Sequence, residues 1–201
     1  TQGPARYFAD NYCVGQLYTA LYEIYRDPAM IRDLERLADT LIRRPHTESL
    51  LWQHDIHLRE WAWCDALFMG PPALAYLSTA SGDPRYLQTA VKLWWKTTDY
   101  LYNKQDSLYY RDGSYIGKKE QNGTNVYWSR GNGWVMGGLA RVMDNMPAGA
   151  EKARFQELFK QMAYRIAPLQ TADGTWHASL LDPDNYPAKE TSGTGFFVYA
   201  L

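Results

Sequence analysis

The sequence is poor in the residue types that most simply declare a function. Its 201 residues include only two cysteines, Cys13 and Cys64. They form no CxxC pair, so a thiol redox motif and a cysteine-rich metal site are both excluded. Two buried thiols are expected rather than one disulfide. Histidine is equally thin, with four residues, of which His54 and His57 flank Asp55. Two imidazoles three apart without a third ligand make a weak metal site, and hydrogen-bonding or solvated histidines are the simpler reading. No metal and no cofactor are expected. An excess of charge is also missing: 21 Lys+Arg stand against 22 Asp+Glu. That balance supplies no basic surface for nucleic acid or anionic lipid. No run of 18 apolar residues exists to span a membrane. Neither Ser129 nor Ser192 lies in a GxSxG elbow, and no Walker lysine follows the glycines at 131 and 133.

What the chain does have is rings. Tyr, Trp and Phe make up 15% of it, within a total apolar content of 46%. That apolar content suffices for a core and argues against disorder. The rings admit two readings, a deep cleft for a ring-shaped ligand or simply a bulky core. The first residues carry no Met and no signal-peptide pattern, and the last, FFVYAL, fall within an apolar run. Both ends are expected to be cuts in a longer protein.

Apolar periodicity predicts about seven helices and no substantial sheet. Asp10 to Arg26 carries Val14, Leu17, Leu21 and Ile24 at helical spacing. Ile31, Leu34, Ala38 and Leu41 repeat the pattern from Ala29 to Arg43. A third helix is expected from about Leu58 to Ala80, kinked or restarted at Gly70-Pro71-Pro72. Others are expected around Tyr86–Thr97, Ser129–Asn145, Ala150–Ala167 and from Thr191 onward. Residues 101–127 read as turns and short aromatic strands, and a loop of that length is often functional. Asp27-Pro28 and Asp83-Pro84 each join two helices, which suggests stacked helical hairpins.

Three places could carry chemistry. Asp65 lies in Trp61-Ala62-Trp63-Cys64-Asp65-Ala66-Leu67, an apolar and aromatic run. A carboxylate there is costly unless paired or used, and desolvation would let it hold a proton near neutrality, as a general acid must. The plainer reading is a buried Asp satisfied by nearby hydrogen bonds. Asp10 opens the first helix and reads first as its N-cap. It also qualifies as the partner of Asp65 in a carboxylate pair suited to glycoside chemistry. In Ser129-Arg130-Gly131-Asn132-Gly133-Trp134, the glycines allow close approach by a ligand. Arg130 offers a clamp for a carboxylate, and Trp134 shares its face one helical turn on. An ordinary Gly-rich turn is the alternative. Arg111, within an aromatic cluster, and His177, in the irregular stretch 169–190, are further candidates for ligand contact.

Four blocks in order resemble one known family: DNYCVGQLYTALYEIYRD, WCDALFMGPP, YWSRGNGWVMGGLARV and ETSGTGFFVYAL. They are similar to the unsaturated rhamnogalacturonyl hydrolases of glycoside hydrolase family 105, related to the unsaturated glucuronyl hydrolases of family 88. The resemblance implies an all-α (α/α)6 barrel, here one incomplete domain over residues 1–201. It implies a bacterial cytoplasmic or periplasmic enzyme. Its substrate would be an oligosaccharide ending in a 4,5-unsaturated uronic acid, foremost the rhamnogalacturonan disaccharide. By the same resemblance Asp65 is the general acid/base and Asp10 the second conserved aspartate. Trp63 stacks on the unsaturated sugar, His54 matches a histidine upstream of the catalytic Asp, and Arg130 and Trp134 flank the pocket. Arg111 stands where some members carry histidine. Two alternatives remain open at this point: a glucuronyl hydrolase for another glycan, and a sugar-binding toroid or fragment without activity.

Overall fold

The computed structural model describes residues 6–201, so the expected 1–201 domain includes five residues outside the described part. Seven helical rods make up that part, two of them broken. The first is split into α1 (Asp10–Cys13) and α2 (Gly15–Tyr25). α3 (Ala29–Ile42) follows Arg26, whose left-handed backbone ends α2, and Asp27, whose carboxylate accepts from the Ala29 amide. The second broken rod is α4 (Ala66–Met69) and α5 (Pro71–Ser81), with Pro71 and Pro72 in the first turn of α5. Proline is well placed there, because the first turn has no amide partners to lose. α6 (Pro84–Leu101) starts from Asp83, whose side chain caps the Arg85 amide. A ladder of β1 (Tyr102–Asn103) and β2 (Leu108–Tyr109) then turns the chain. α7 (Ser129–Asp144), α8 (Ala150–Ile166) and α9 (Thr191–Ala200) complete it.

The rods form two rows. α2 packs on α5, α4 on α7, and α7 on α9, in an inner row; α3, α6 and α8 lie outside, each paired with the inner helix before it. The chain alternates between rows, so the inner helices run parallel and share one N-terminal end. Segments 43–65, 102–128 and 170–190 feed that end. The core follows the periodicity in α3, α6 and α8, where Leu41, Leu93, Trp94, Phe155 and Met162 are buried. Each such side chain removed from water contributes about 1.5–3 kcal/mol.

Two expectations require correction. Residues 59–65 are not helical. After a single 3-10 turn at Ile56–Leu58 the chain extends, because Trp63 bridges Asp112 and the Cys64 amide bonds the Arg111 carbonyl at 2.8 Å. Tertiary pairing overrides the helical pattern there. In the first rod the expected stripe faces outward: Val14, Leu17 and Ile24 are exposed, while Gly15, Gln16 and Thr19 are buried. One buried ionic cluster anchors the 43–65 segment. Glu60, fully buried, meets Lys96 at 2.9 Å and His46 at 3.3 Å. Burial pushes its pKa up, but hydrogen bonds from His46 and Lys96 outweigh that and hold it below the usual range. Among the described residues, no helix is long and apolar enough to cross a membrane, and no three metal-binding side chains cluster.

Candidate active site at the N-terminal ends of the inner helices

Asp65 immediately precedes α4, at the end of the inner row where the long segments converge. It is mostly buried, and burial raises its pKa. Four groups oppose that rise: the Cys64 thiol, which donates to its Oδ1 at 3.3 Å, the positive charge of Arg111, the backbone amide of Asp65 itself and the positive charge of Arg130. Burial is the principal cause, with no need of a second carboxylate. The Cys64 thiol is itself pushed up by burial, and both cysteines are free.

Arg111 reaches Asp65 because segments 63–64 and 111–112 pair through their backbones. Its guanidinium lies 3.0 Å from the carboxylate of the fully buried Asp112 and over the rings of Trp52 and Tyr115. Trp52, His57, Trp63 and Phe8 form a cluster beyond it. Trp63 stacks on Phe8 at 5.6 Å and meets His57 edge-on at 6.0 Å, while Trp52 stacks on His57 at 5.3 Å. Trp63 is thus held by Phe8, His57 and Trp52 together and is only 8% exposed. Asp10 joins this cluster electrostatically: partial burial raises its pKa and His57 opposes the rise. Asp10 is not an N-cap. Ala9 holds that position, and no side chain caps the helix. α1 packs against α4, but among the described residues no hydrogen bond links Asp10 to Asp65.

Arg130 sits in the first turn of α7, with its guanidinium 4.0 Å above the Trp128 ring. The carboxylate it clamps is Glu190, at 2.5 Å. With Arg111, Tyr115, Trp128, Ser179 and Tyr186, Arg130 lines a cleft of about 500 Å³. That volume suits a small oligosaccharide. The glycines of this turn serve packing rather than ligand approach. A Cβ at Gly131 would lie 2.9 Å from Cys64 Sγ, and one at Gly133 would lie 2.9 Å from Phe196 Cβ.

The remaining candidates lie apart from this cleft. Trp134 packs between Phe68 at 4.7 Å and Phe196 at 4.1 Å, outside the cleft lining. His177 lines a neighbouring depression with Arg165 and Asp184, and Ser179 borders both spaces. His54 adopts a left-handed backbone and contributes its carbonyl to Arg59. His57, three residues on, is the histidine that packs against Trp63. His57, Trp52 and Glu190 were not singled out from the sequence. Only the spacing His54-x-x-His57 hinted at one of them.

An arc of paired helices, with carboxylates, arginines and rings gathered at the N-terminal ends of its inner row, is the architecture of the (α/α) toroid glycosidases. Comparison with known proteins narrows this. The family model described as Glycosyl Hydrolase Family 88 matches residues 1–201, and the chain belongs to that family. An unsaturated 3S-rhamnoglycuronyl hydrolase from Alteromonas sp. (strain LOR) is 35% identical over 97% of this chain and 50% of its own length. One of the same name from Formosa agariphila is 45% identical over 70% of this chain and 39% of its own. A solved structure described as a glycosyl hydrolase family 88 protein from Bacteroides vulgatus superposes with a TM-score of 0.84 at 30% identity, covering 96% of this chain and 53% of that one. Another, described as a polysaccharide lyase, gives 0.86 at 30%, covering 96% and 52%. The chain thus spans about half the length of the relatives it matches.

Proposed function

We propose that the protein removes a 4,5-unsaturated uronic acid from the non-reducing end of oligosaccharides by hydrating its C4=C5 bond. One observation carries this: Asp65 is a mostly buried carboxyl with a raised pKa, near enough to Arg111 and Arg130 to feel both charges, and those two arginines line an aromatic cleft. Protonating an enol ether requires a neutral acid at working pH, and burial shifts Asp65 in that direction. In this reading Asp65 gives its proton to C4. The developing cation at C5 takes up water, whose proton returns to Asp65. The hemiketal so formed opens and releases the neighbouring sugar. Arg111 and Arg130 attract the uronate carboxylate, Asp10 and His57 border the acceptor side, and Trp63 meets the sugar ring through the small part of it that is exposed. Of the wider set, His177 belongs to this reading as an outer contact, across Ser179 from the cleft, while Trp134 and His54 lie outside it.

The names of the curated relatives make a rhamnose-linked unsaturated uronide the substrate to offer first. A rhamnogalacturonan disaccharide and a glucuronyl disaccharide complete the panel. The similarity to a chain described as a lyase supports a second reading, in which the double bond is made rather than consumed. Ultraviolet absorbance of the C4=C5 bond separates the two. A hydrolase depletes the absorbance of an unsaturated oligosaccharide. A lyase raises it on a saturated polymer and leaves the unsaturated oligosaccharide intact.

A further inference from the structure

Glu190 belongs to none of the groups assigned above, yet it is the most fully bonded carboxylate at the site. Its Oε2 accepts from the Arg130 backbone amide at 2.9 Å. Its Oε1 takes the Arg130 guanidinium, the Trp128 indole N–H at 3.2 Å and the Ser192 hydroxyl at 3.3 Å. The side chain is only 11% exposed, whereas that of Arg130 is 43% exposed. The backbone explains how a residue 60 positions away arrives there. Glu190 donates its amide to Trp176, and the 176–180 segment in turn pairs with 127–129. Gly193 lets the start of α9 close on the start of α7, since a Cβ there would lie 2.3 Å from Ser129 Oγ.

We infer that Glu190 is a positioning residue: it fixes the Arg130 guanidinium over the Trp128 ring at the wall of the cleft, ready to receive the carboxylate of an acidic sugar. An arginine on a flexible stem loses rotamer freedom when it binds. Glu190 and Trp128 impose that order before the ligand arrives. A charge-assisted bond from a nearly buried carboxylate is strong enough to do so. The inference rests on the proposed uronide-hydrating activity.

The test uses the full-length protein and a rhamnose-linked unsaturated disaccharide, read by loss of the C4=C5 absorbance. The isosteric Glu190→Gln variant keeps the shape but loses the charge. It is expected to raise KM about tenfold with kcat within about threefold of the parent. In the double variant with Arg130→Ala the loss should equal that of Arg130→Ala alone, because both changes remove one unit. A merely structural glutamate would give effects that add, with KM unmoved. Trp128→Phe, which removes the indole N–H together with the ring that carries it and so part of the platform under Arg130, should raise KM about threefold and serves where Glu190→Gln fails to fold. Unchanged KM in both variants, or full additivity with Arg130→Ala, overturns the role of Glu190 while leaving the activity standing. A parent protein that consumes no unsaturated uronide overturns both.

Discussion

At the scale of single residues, the account turns on the pKa of Asp65. Burial raises it, and Arg111, Arg130 and the Cys64 thiol restrain the rise. A general acid works only while protonated, so activity should fall as pH climbs through that pKa. Replacing Arg111 with methionine removes one restraining charge, so the pKa rises further. The alkaline limb of kcat/KM should therefore move to higher pH, even as the plateau drops from weaker substrate binding. A pH-rate profile checks this, and a limb displaced downward would show that Arg111 does not face the acid. Asp65 was legible in the sequence because a lone carboxylate among rings is conspicuous. Glu190 was not: its partners come from loop pairings between segments 60 residues apart, which no local spacing records. Asp10 misled for the opposite reason. Asp before a helical run usually caps it, but here Ala9 takes the cap position and Asp10 is the first helical residue.

At the scale of elements, the inner row depends on close approach between helices. Gly138 of α7 faces the backbone of Leu67 in α4, where an added Cβ would lie 2.4 Å from the Leu67 carbonyl oxygen. Backbone cannot yield as a flexible side chain can. Gly138→Ala should therefore force α7 from α4 and cost about 2 kcal/mol, a fall in Tm of roughly 4–8 °C for a chain of this size. Thermal unfolding reads this directly, and an unchanged Tm would mean that the two helices are not tightly seated. Gly131 and Gly133 were noticed in the sequence, as room for a ligand or as an ordinary Gly-rich turn, while the packing role of Gly138 was not. α3 and α8 were legible nearly to the residue and α6 in its middle, because each buries one apolar stripe against one neighbour. The run before Asp65 was not, because its residues pair with segment 111–112 and extend instead of coiling.

At the scale of the whole molecule, the first helix carries its apolar stripe on the wrong side for these 201 residues alone. Val14, Leu17, Ile24 and Tyr25 are 49–70% exposed, and on α9 Val198 and Tyr199 are 68% and 53% exposed. Contiguous exposure of this kind marks a surface made to be covered. Relatives twice as long share the fold, which fits a larger toroid in which further helices cover both faces. Produced alone, residues 1–201 should bind a hydrophobic dye and self-associate, and a Leu17→Glu, Ile24→Glu pair should relieve both. Monomeric behaviour without dye binding would show that the stripe needs no cover. The proposed chemistry rests on one carboxyl group, Asp65, and its burial.

The most direct test of that claim is the Asp65→Asn variant of the full-length protein, assayed on a rhamnose-linked unsaturated disaccharide by absorbance of the C4=C5 bond. Asparagine keeps the shape and the hydrogen bond from Cys64 but can neither give nor take the proton. The account predicts that the parent depletes the absorbance, while the variant, folded to the same Tm within a few degrees, slows by at least about a thousandfold. A variant that still hydrates the double bond at a rate near the parent's would contradict it.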